Sequence, residues 1–385
     1  MCSSFNVEPF LFIDKVTTTQ HLMYNTREEA LAAPTAELDL LLCESCSLIF
    51  NQAFSEDKTR YSSDYDNSQN HSSAFSLYVD DQIKWLMENY IHTGDTIVEV
   101  GCGKGYYIRE LLEKASAISV RGGYGFDTSY VGDERVESVN LTFFRDYYGD
   151  IYKHIKPNLV IIRHVIEHIS KPFEFLTNIH YLANEGALVF LETPDLDWIL
   201  KNNVIFDFFY EHCSYYNHHS IKKLLSESGF DILEIRNGFD DQYMWVIAQK
   251  RKTIKRIETN TVDQSITRSY RDYPINRSSI MQLIRKKLED DFRKKIKVAL
   301  WGAGAKGVTF ANMFDQHNEL INCLIDINSF KQNKYIANSG HKVISPSEII
   351  KYGIEKILIM NPNYVEEIKS ELRRNSCADI AIDVV

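Results

Sequence analysis

The sequence predicts an α/β protein with a central Rossmann-like sheet, a small N-terminal domain and a C-terminal Rossmann-like domain. Two stretches each run from an apolar strand into closely spaced glycines, at residues 97–105 and 297–307. From residue 95 onward, strand-like and helix-like segments alternate, which is the pattern of a parallel sheet with helices on both faces. The chain of 385 residues is also too long for one ordinary hydrophobic core.

The composition favours a small-molecule ligand. A net charge of −10 opposes nucleic acid or an anionic membrane as the main partner. No run approaches the ~18 apolar residues that span a bilayer, and the N-terminus lacks a basic-then-apolar signal pattern, so we expect a cytoplasmic protein. The 7 cysteines are mostly scattered, which favours reduced thiols over a disulfide framework.

The first glycine stretch predicts a cofactor loop. Glu99, Gly101, Gly103 and Gly105 stand at alternate positions after an apolar strand and before a predicted helix. Glycines let the backbone turn sharply and let a ligand lie against it. The spacing differs from the dinucleotide fingerprint G-x-G-x-x-G, so the loop predicts S-adenosylmethionine binding. A plain strand-to-helix corner is the alternative for the loop taken alone.

Acidic residues end the next two predicted strands. Asp127 should lie at the carboxyl edge of the second strand, where a carboxylate can accept hydrogen bonds from ribose hydroxyls. Asp146 falls where the third strand should end and is placed to reach an adenine amino group. Either aspartate, taken singly, is also a common turn residue.

Histidines follow the fourth and fifth strands. His164 and His168 come directly after the strand at residues 158–162, where the ligand crevice of an open sheet lies. We expect His164 to contact the cofactor and His168 to take part in the chemistry. A denser cluster at residues 207–216 holds the candidates Tyr210, Glu211, His212, Tyr215 and Tyr216.

The N-terminal part holds half of a metal site. Cys43 and Cys46 have the spacing of a zinc knuckle, but a structural zinc needs four ligands. Cys2 offers one more at most, so we expect no stoichiometric zinc. Residues 61–73 form a polar tract rich in tyrosine that we expect to cover the ligand, with Tyr65 contacting the cofactor.

The second glycine stretch does fit G-x-G-x-x-G, with Asp326 at the end of the next strand. The part of the chain that holds this stretch is short and has room for one βαβ half and a little more. A sugar nucleotide at Gly302, Gly304 and Lys306 is therefore favoured over a dinucleotide. We place the domains at residues 1–75, 76–250 and 296–385, with a linker and connecting helix at 251–295, the helix running over 279–293.

The chain resembles the sugar C-methyltransferases of bacterial deoxysugar pathways nearly end to end. The resemblance is carried by the motifs that begin at Cys43, Val98, Arg163, Tyr210 and Trp301. It implies a zinc-ribbon-like N-terminal domain, a class I methyltransferase domain and a C-terminal domain that helps hold a nucleotide sugar. The first cysteine pair of the family is absent here apart from Cys2, and Phe209 stands where relatives commonly have a tyrosine.

The resemblance further implies methyl transfer to the carbon beside a ketone in a nucleotide-linked 4-keto-6-deoxysugar. His212 is then the candidate base, Glu211 orients it, and His168 stabilises the enolate or relays the proton. Tyr210 is a candidate replacement for the missing tyrosine. Tyr215 and Tyr216, together with the second glycine loop, would hold the sugar nucleotide.

Other functions remain open from the sequence. The same histidines suit an O- or N-methyltransferase, the second glycine stretch suits an NAD-binding oxidoreductase, and a non-catalytic binding protein can retain this fold. We expect a monomer or homodimer without nucleic-acid or membrane partners.

Overall fold

The computed structural model describes residues 6–59, 65, 67–252 and 264–385, and it leaves the side chains of residues 264–268 undescribed. The N-terminal part contains β1 (Val7–Thr17), β2 (Met23–Tyr24), α1 (Arg27–Leu31), β3 (Thr35–Cys43) and β4 (Ile49–Asn51). The central part contains α2 (Ser73–Asn89), β5 (Thr96–Val100), α3 (Tyr106–Lys114), β6 (Gly122–Phe126), β7 (Arg135–Val136), β8 (Leu141–Phe144), β9 (Leu159–Arg163), α4 (Pro172–Leu182), β10 (Leu188–Pro194), α5 (Leu196–Lys201), β11 (Ser214–Tyr215), α6 (His218–Glu227), β12 (Phe230–Gly238) and β13 (Tyr243–Lys250). The C-terminal part contains α7 (Gln264–Arg293), β14 (Val298–Trp301), α8 (Ala305–Phe314), β15 (Cys323–Ile325), β16 (Tyr335–Ile336), β17 (Val343–Ile344), α9 (Ile349–Tyr352), β18 (Lys356–Ile359), α10 (Val365–Arg374) and β19 (Ala381–Val384).

The central sheet has the order β12-β13-β10-β9-β5-β6-β8-β7. Strands β8, β6, β5, β9 and β10 are parallel, and β13 inserts antiparallel between β10 and β12. The predicted closing antiparallel pair is therefore present. This topology confirms the class I methyltransferase fold that the resemblance implies.

Burial on both faces explains the apolar central strands. Strand β9 reads Leu-Val-Ile-Ile before Arg163, and all four apolar side chains are buried. One hydrophobic cluster packs the helices α4 and α6 on one face, and a second packs α2 and α3 on the other. A strand covered on both sides needs apolar residues at consecutive positions, not at alternate ones.

The C-terminal sheet is larger than the sequence predicts. It has five parallel strands in the order β17-β15-β14-β18-β19. From β14 the chain continues to β15 and β17 on one side and then to β18 and β19 on the other. The switch point of this doubly wound sheet therefore lies between β14 and β18. The expectation of one βαβ half and a little more is wrong, because β17, β18 and β19 complete a five-stranded sheet within the same stretch of chain.

The N-terminal and central regions interleave. The N-terminal sheet has the order β1-β3-β4-β11, and β11 comes from the cluster at residues 207–216. Strand β2 pairs with β16 of the C-terminal part. The N-terminal sheet therefore holds the segment that carries Glu211 and His212.

The connecting helix is longer than predicted. Helix α7 begins at Gln264, well before residue 279, and contains Pro274. Tyr273 is buried, and its hydroxyl donates to the carbonyl of Val204. This packing stabilises the helical turn in which Pro274 removes a backbone amide donor. Among the described residues, no helix has the length and apolar character needed to cross a bilayer.

A buried polar cluster holds the C-terminal part together. Asp315 accepts hydrogen bonds from the amides of Leu320 and Ile321 and contacts Nε2 of His341 at 3.0 Å. Burial opposes ionisation of Asp315, but these hydrogen bonds outweigh it and hold its pKa below the ordinary value. The carboxylate therefore satisfies several buried donors at once.

We predict that Asp315→Ala lowers the free energy of unfolding by about 3–5 kcal/mol, because it strands a buried histidine and several amides. Denaturant unfolding followed by circular dichroism measures the loss. Asp379→Ala removes an exposed carboxylate from the same part and should change stability by less than about 0.5 kcal/mol. Equal losses in the two variants would contradict the assignment.

Candidate active site

The first glycine loop has the geometry of a ligand cradle. Gly101, Gly103 and Gly105 have φ values of +74°, +54° and +76°, a region that favours glycine. A Cβ on Gly101 would lie 2.3 Å from the Val165 side chain, and one on Gly105 would lie 2.4 Å from the Phe143 ring. A Cβ on Gly103 would meet only Oδ1 of Asn67, at an ordinary contact distance of 3.9 Å. The loop therefore leaves room for a ligand where the sequence predicts S-adenosylmethionine.

Asp127 lies beside this loop, as predicted. One carboxylate oxygen accepts from the amide of Gly103 at 2.8 Å, and the other accepts from the amide and hydroxyl of Ser129. Asp146 follows β8 and accepts from the hydroxyl of Tyr152 at 2.8 Å. The structure thus brings both aspartates to the carboxyl edge of the sheet, and their contact with the cofactor stays a prediction.

Glu99 supports the loop from below. Its side chain is buried, and Oε2 accepts from the amide of Ile108 in α3 at 3.2 Å. Burial raises the pKa of Glu99 to about 7, although Arg163 acts in the opposite sense. The prediction that Glu99 contacts the cofactor is corrected: its carboxylate binds the amino end of the helix.

A cavity of about 290 Å³ lies between the carboxyl edge of the central sheet and the second glycine loop. Its wall is drawn from every part of the chain, and the residues used below are His21, Tyr65, Asn67, His164, Glu167, His168, Trp198, Asp207, Glu211, His212, Gly302, Gly304, Lys306, Asp326 and Glu367. Of the predicted residues, this set brings together the three histidines, Glu211, Tyr65 and the second loop.

His168 and His212 face each other in this cavity. Their ring centroids are 4.7 Å apart, and the rings meet edge to face. Nδ1 of His168 lies 2.9 Å from the backbone carbonyl of Glu211, so this nitrogen carries the proton and donates it. In the neutral ring, Nε2 of His168 is then the acceptor.

Burial sets the protonation of this group. Burial lowers the pKa of His168, and burial together with neighbouring histidines lowers the pKa of His212 well below its ordinary value. Burial raises the pKa of Glu211 to about 7, although the Gln20 amide at 2.8 Å and the Tyr65 side chain hydrogen-bond to the carboxylate. Both imidazoles are therefore neutral near pH 7 and able to accept a proton.

The second glycine loop carries a paired lysine. Gly302 has a φ of +102°, and Gly304 is the N-cap of α8. The Lys306 ammonium contacts Asp207 at 2.8 Å and lies 5.2 Å from the ring centroid of Trp198. The predicted phosphate site is thus a loop at a helix N-terminus whose lysine already has a carboxylate partner.

Three predicted tyrosines do not line the cavity. The hydroxyl of Tyr210 accepts from the amide of Ser55 at 2.8 Å, and that of Tyr215 donates to the carbonyl of Phe209 at 2.9 Å. Tyr216 is fully buried in the core. The assignments of Tyr210 to catalysis and of Tyr215 and Tyr216 to the substrate are corrected, because these side chains are buried and the hydroxyls of Tyr210 and Tyr215 bind backbone groups away from the cavity.

His21 is a cavity residue that the sequence does not reveal. Its ring lies 5.4 Å from that of Tyr65, and its Cε1 is 4.0 Å from the Cβ position of Gly304. The preceding residues 17–20 are polar yet buried. A polar run without periodicity gives no sign of burial, so no signal in this stretch could have found the residue.

Two groups of side chains have metal-ligand character. Cys43 and Cys46 are buried, and Cys2 lies outside the described residues, so the expected absence of zinc stays a prediction. Within the described chain, the group of three potential ligands is Glu167, His168 and His212, whose donor atoms lie within 4.8 Å of one another. A carboxylate and two imidazoles suit a divalent transition metal.

Comparison with known proteins agrees with this geometry. Residues 64–235 match the model of a methyltransferase domain family, and residues 247–379 match that of the C-methyltransferase C-terminal domain. The curated relative is the C-methyltransferase NovU of Streptomyces niveus, 24% identical over 287 residues that cover 71% of this chain and 68% of the relative.

Solved structures give partial matches to the chain. Magnesium protoporphyrin IX methyltransferase of Synechocystis, solved with bound S-adenosylhomocysteine, is 21% identical with a TM-score of 0.36 and covers 46% of this chain and 84% of its own. The complex of the Haloferax volcanii Trm112 activator with a methyltransferase gives 16% identity, a TM-score of 0.36, and coverage of 46% and 92%.

The first family match contains the first glycine loop and the cavity histidines His164, His168 and His212, and the second contains the second glycine loop. S-adenosylmethionine is the cofactor, and the backbone at Gly103, which only the Asn67 side chain approaches, fits it. The chain is an S-adenosylmethionine-dependent methyltransferase that is similar to C-methyltransferases over most of its length.

Proposed function

We propose that this enzyme methylates a carbon beside the keto group of a nucleotide-linked 4-keto deoxysugar. The observation that carries the proposal is the pair of neutral histidines in a cavity bounded on one side by the central sheet and on the other by a glycine-lysine loop. A proton beside a ketone needs a base, and the resulting enolate oxygen needs a donor. The second loop supplies a place for the phosphates.

In this scheme Gly101, Gly103 and Asp127 would hold the cofactor, which would supply an electrophilic methyl group to the enolate carbon and leave as S-adenosylhomocysteine. His212 accepts the proton from the substrate carbon, and the C–H electron pair forms the enolate. Protonated His212 stabilises the enolate charge. His168 relays the proton, its ring held by the Glu211 carbonyl.

Lys306 and the amino end of α8 are proposed to hold the phosphates, and Asp326 to face the nucleoside sugar. Asp326 ends β15 and accepts from the amide of Ala303 at 2.7 Å, which places it at the strand edge where ribose binds in related sheets. Because residues 247–379 match a C-methyltransferase C-terminal domain, this assignment is favoured over NAD.

The function is tested by incubating the protein with S-adenosylmethionine and a panel of nucleotide 4-keto sugars. We expect a mass gain of one methyl group and a new carbon–carbon bond in the product NMR spectrum. A methyl group on oxygen or nitrogen would favour the alternative methyltransferases. Reduction of NAD without methylation would instead favour an oxidoreductase.

We predict that Asp127→Ala weakens S-adenosylmethionine binding by roughly 1.5–3 kcal/mol, the range for charge-assisted hydrogen bonds. Titration calorimetry measures the affinity. Asp133→Ala, an exposed acid that follows the same strand, is the matched control and should bind normally. Normal binding by a folded Asp127→Ala variant would remove Asp127 from the site.

We predict that His212→Ala lowers kcat by at least ~10²-fold, the lower range for a general base, while cofactor affinity stays near normal. With S-adenosylhomocysteine bound, the wild type should exchange the substrate proton with deuterated solvent, and the variant should not. His154→Ala, which removes an exposed histidine, should behave as wild type.

Two results would overturn this role. Equal deuterium exchange in wild type and His212→Ala would move the base to another residue such as His168. Loss of activity after treatment with a chelator, restored by one divalent metal, would assign His212, His168 and Glu167 to a metal instead.

A further inference from the structure

Glu367 caps a helix in another part of the chain. The residue lies in the first turn of α10, and one of its carboxylate oxygens accepts three hydrogen bonds at the start of α2. The donors are the hydroxyls of Ser72 and Ser73, at 2.7 and 3.1 Å, and the amide of Ala74, at 2.8 Å. The first amides of a helix have no partner within the helix, and a negative charge there is favourable.

The residues just before α2 reach the cofactor loop. Asn67 lines the cavity, and its Oδ1 is 3.9 Å from the Cβ position of Gly103. Gln69 accepts a hydrogen bond from the hydroxyl of Tyr364 at 3.2 Å. Residues 67–72 therefore run from the first glycine loop to the C-terminal part, which holds them through Glu367 and Tyr364.

The same face of the C-terminal part is fixed to the central sheet. The side-chain amides of Gln242 and Asn361 exchange two hydrogen bonds of 2.9 Å, and both residues are buried. The side chain of Asn363 donates to the carbonyl of Phe239 at 2.8 Å. Glu367 is thus presented to α2 from a rigid base, because the segment before α10 cannot shift without breaking buried amide bonds.

We propose that Glu367 is a positioning residue for the cofactor site: from the C-terminal part of the chain it holds residues 67–72 against the first glycine loop. The inference rests on the proposed placement of the cofactor at Gly101, Gly103 and Asp127. Without the carboxylate, Ser72 loses its charged partner, and residues 67–72 spend less time in the arrangement seen here. The apparent affinity for the cofactor then falls in proportion to the fraction of time that residues 67–72 spend in this arrangement.

The test is titration calorimetry of S-adenosylhomocysteine with the full chain. We expect Glu367→Ala to bind about tenfold more weakly than wild type, and Ser72→Ala to bind more weakly as well. Glu367→Ala combined with Ser72→Ala should lose less affinity than the sum of the two single losses, because Ser72 is one of the three donors that bind Glu367. Glu366→Ala is the matched control: Glu366 precedes Glu367, is exposed and pairs with Lys369.

A role confined to stability would lower the melting temperature and leave the affinity unchanged, and this result would overturn the inference. Additive losses in the double variant would also overturn it, because Glu367 would then act on the ligand without Ser72. If Glu367→Ala does not fold, Glu367→Gln is used instead, because it keeps the side-chain volume and one neutral acceptor. A loss of affinity below twofold in both Glu367→Gln and Ser72→Ala is then the contrary outcome. A wild type that fails to bind S-adenosylhomocysteine would overturn the cofactor site itself.

Discussion

The hydrogen bond between Nδ1 of His168 and the carbonyl of Glu211 joins the central sheet to the segment that carries His212. A carbonyl can only accept, so the bond fixes which nitrogen of His168 holds the proton. The segment is tied down on its other side by the hydroxyl of Tyr210, which binds the backbone at Ala53 and Ser55. The relative position of the two histidines therefore depends on contacts with the N-terminal sheet.

Beneath this group, the register of two parallel strands creates a buried ion pair. Arg163 of β9 stands opposite Glu192 of β10, and their side chains meet at 2.6 Å. Burial favours the neutral form of Glu192, yet Arg163 and neighbouring donors hold its pKa below the ordinary value. A one-residue slip would leave both charges buried without a partner, which is costly, so the pair helps to specify the register.

His164 follows directly and shows the effect of this anchoring. Its φ is +52°, an uncommon value for a residue with a side chain, and its ring lies within 3.7 Å of Glu192 and 3.5 Å of Glu167. Two carboxylates on separate elements thus hold a ring whose backbone is strained. This left-handed backbone conformation turns the chain sharply after β9, so that Glu167 and His168 reach the cavity wall.

The sequence predicted what depends on local order. Each parallel strand ends at the same edge of the sheet, so the strand ends alone brought Asp127, Asp146 and His164 to one side. The sequence did not predict where Tyr210 and Tyr215 point, because Tyr215 lies on β11, which pairs with β4 from a distant part of the chain, and Tyr210 binds the backbone of that same part. The length of α7 was missed for a related reason: packing of Tyr273 outweighs the local effect of Pro274.

The two halves of the site are consequently built in different ways. The cofactor loop and Asp127 lie close in sequence on adjacent strands, whereas the cavity depends on contacts between distant segments, among them Gln20 with Glu211 and Asp207 with Lys306. The second contact bears on which ligands can enter. Any ligand that takes Lys306 away from Asp207 leaves that carboxylate largely buried without its partner, and an anion also adds a second negative charge beside it. A ligand bound at the amino end of α8 therefore avoids this cost only if Lys306 contacts it while still paired with Asp207.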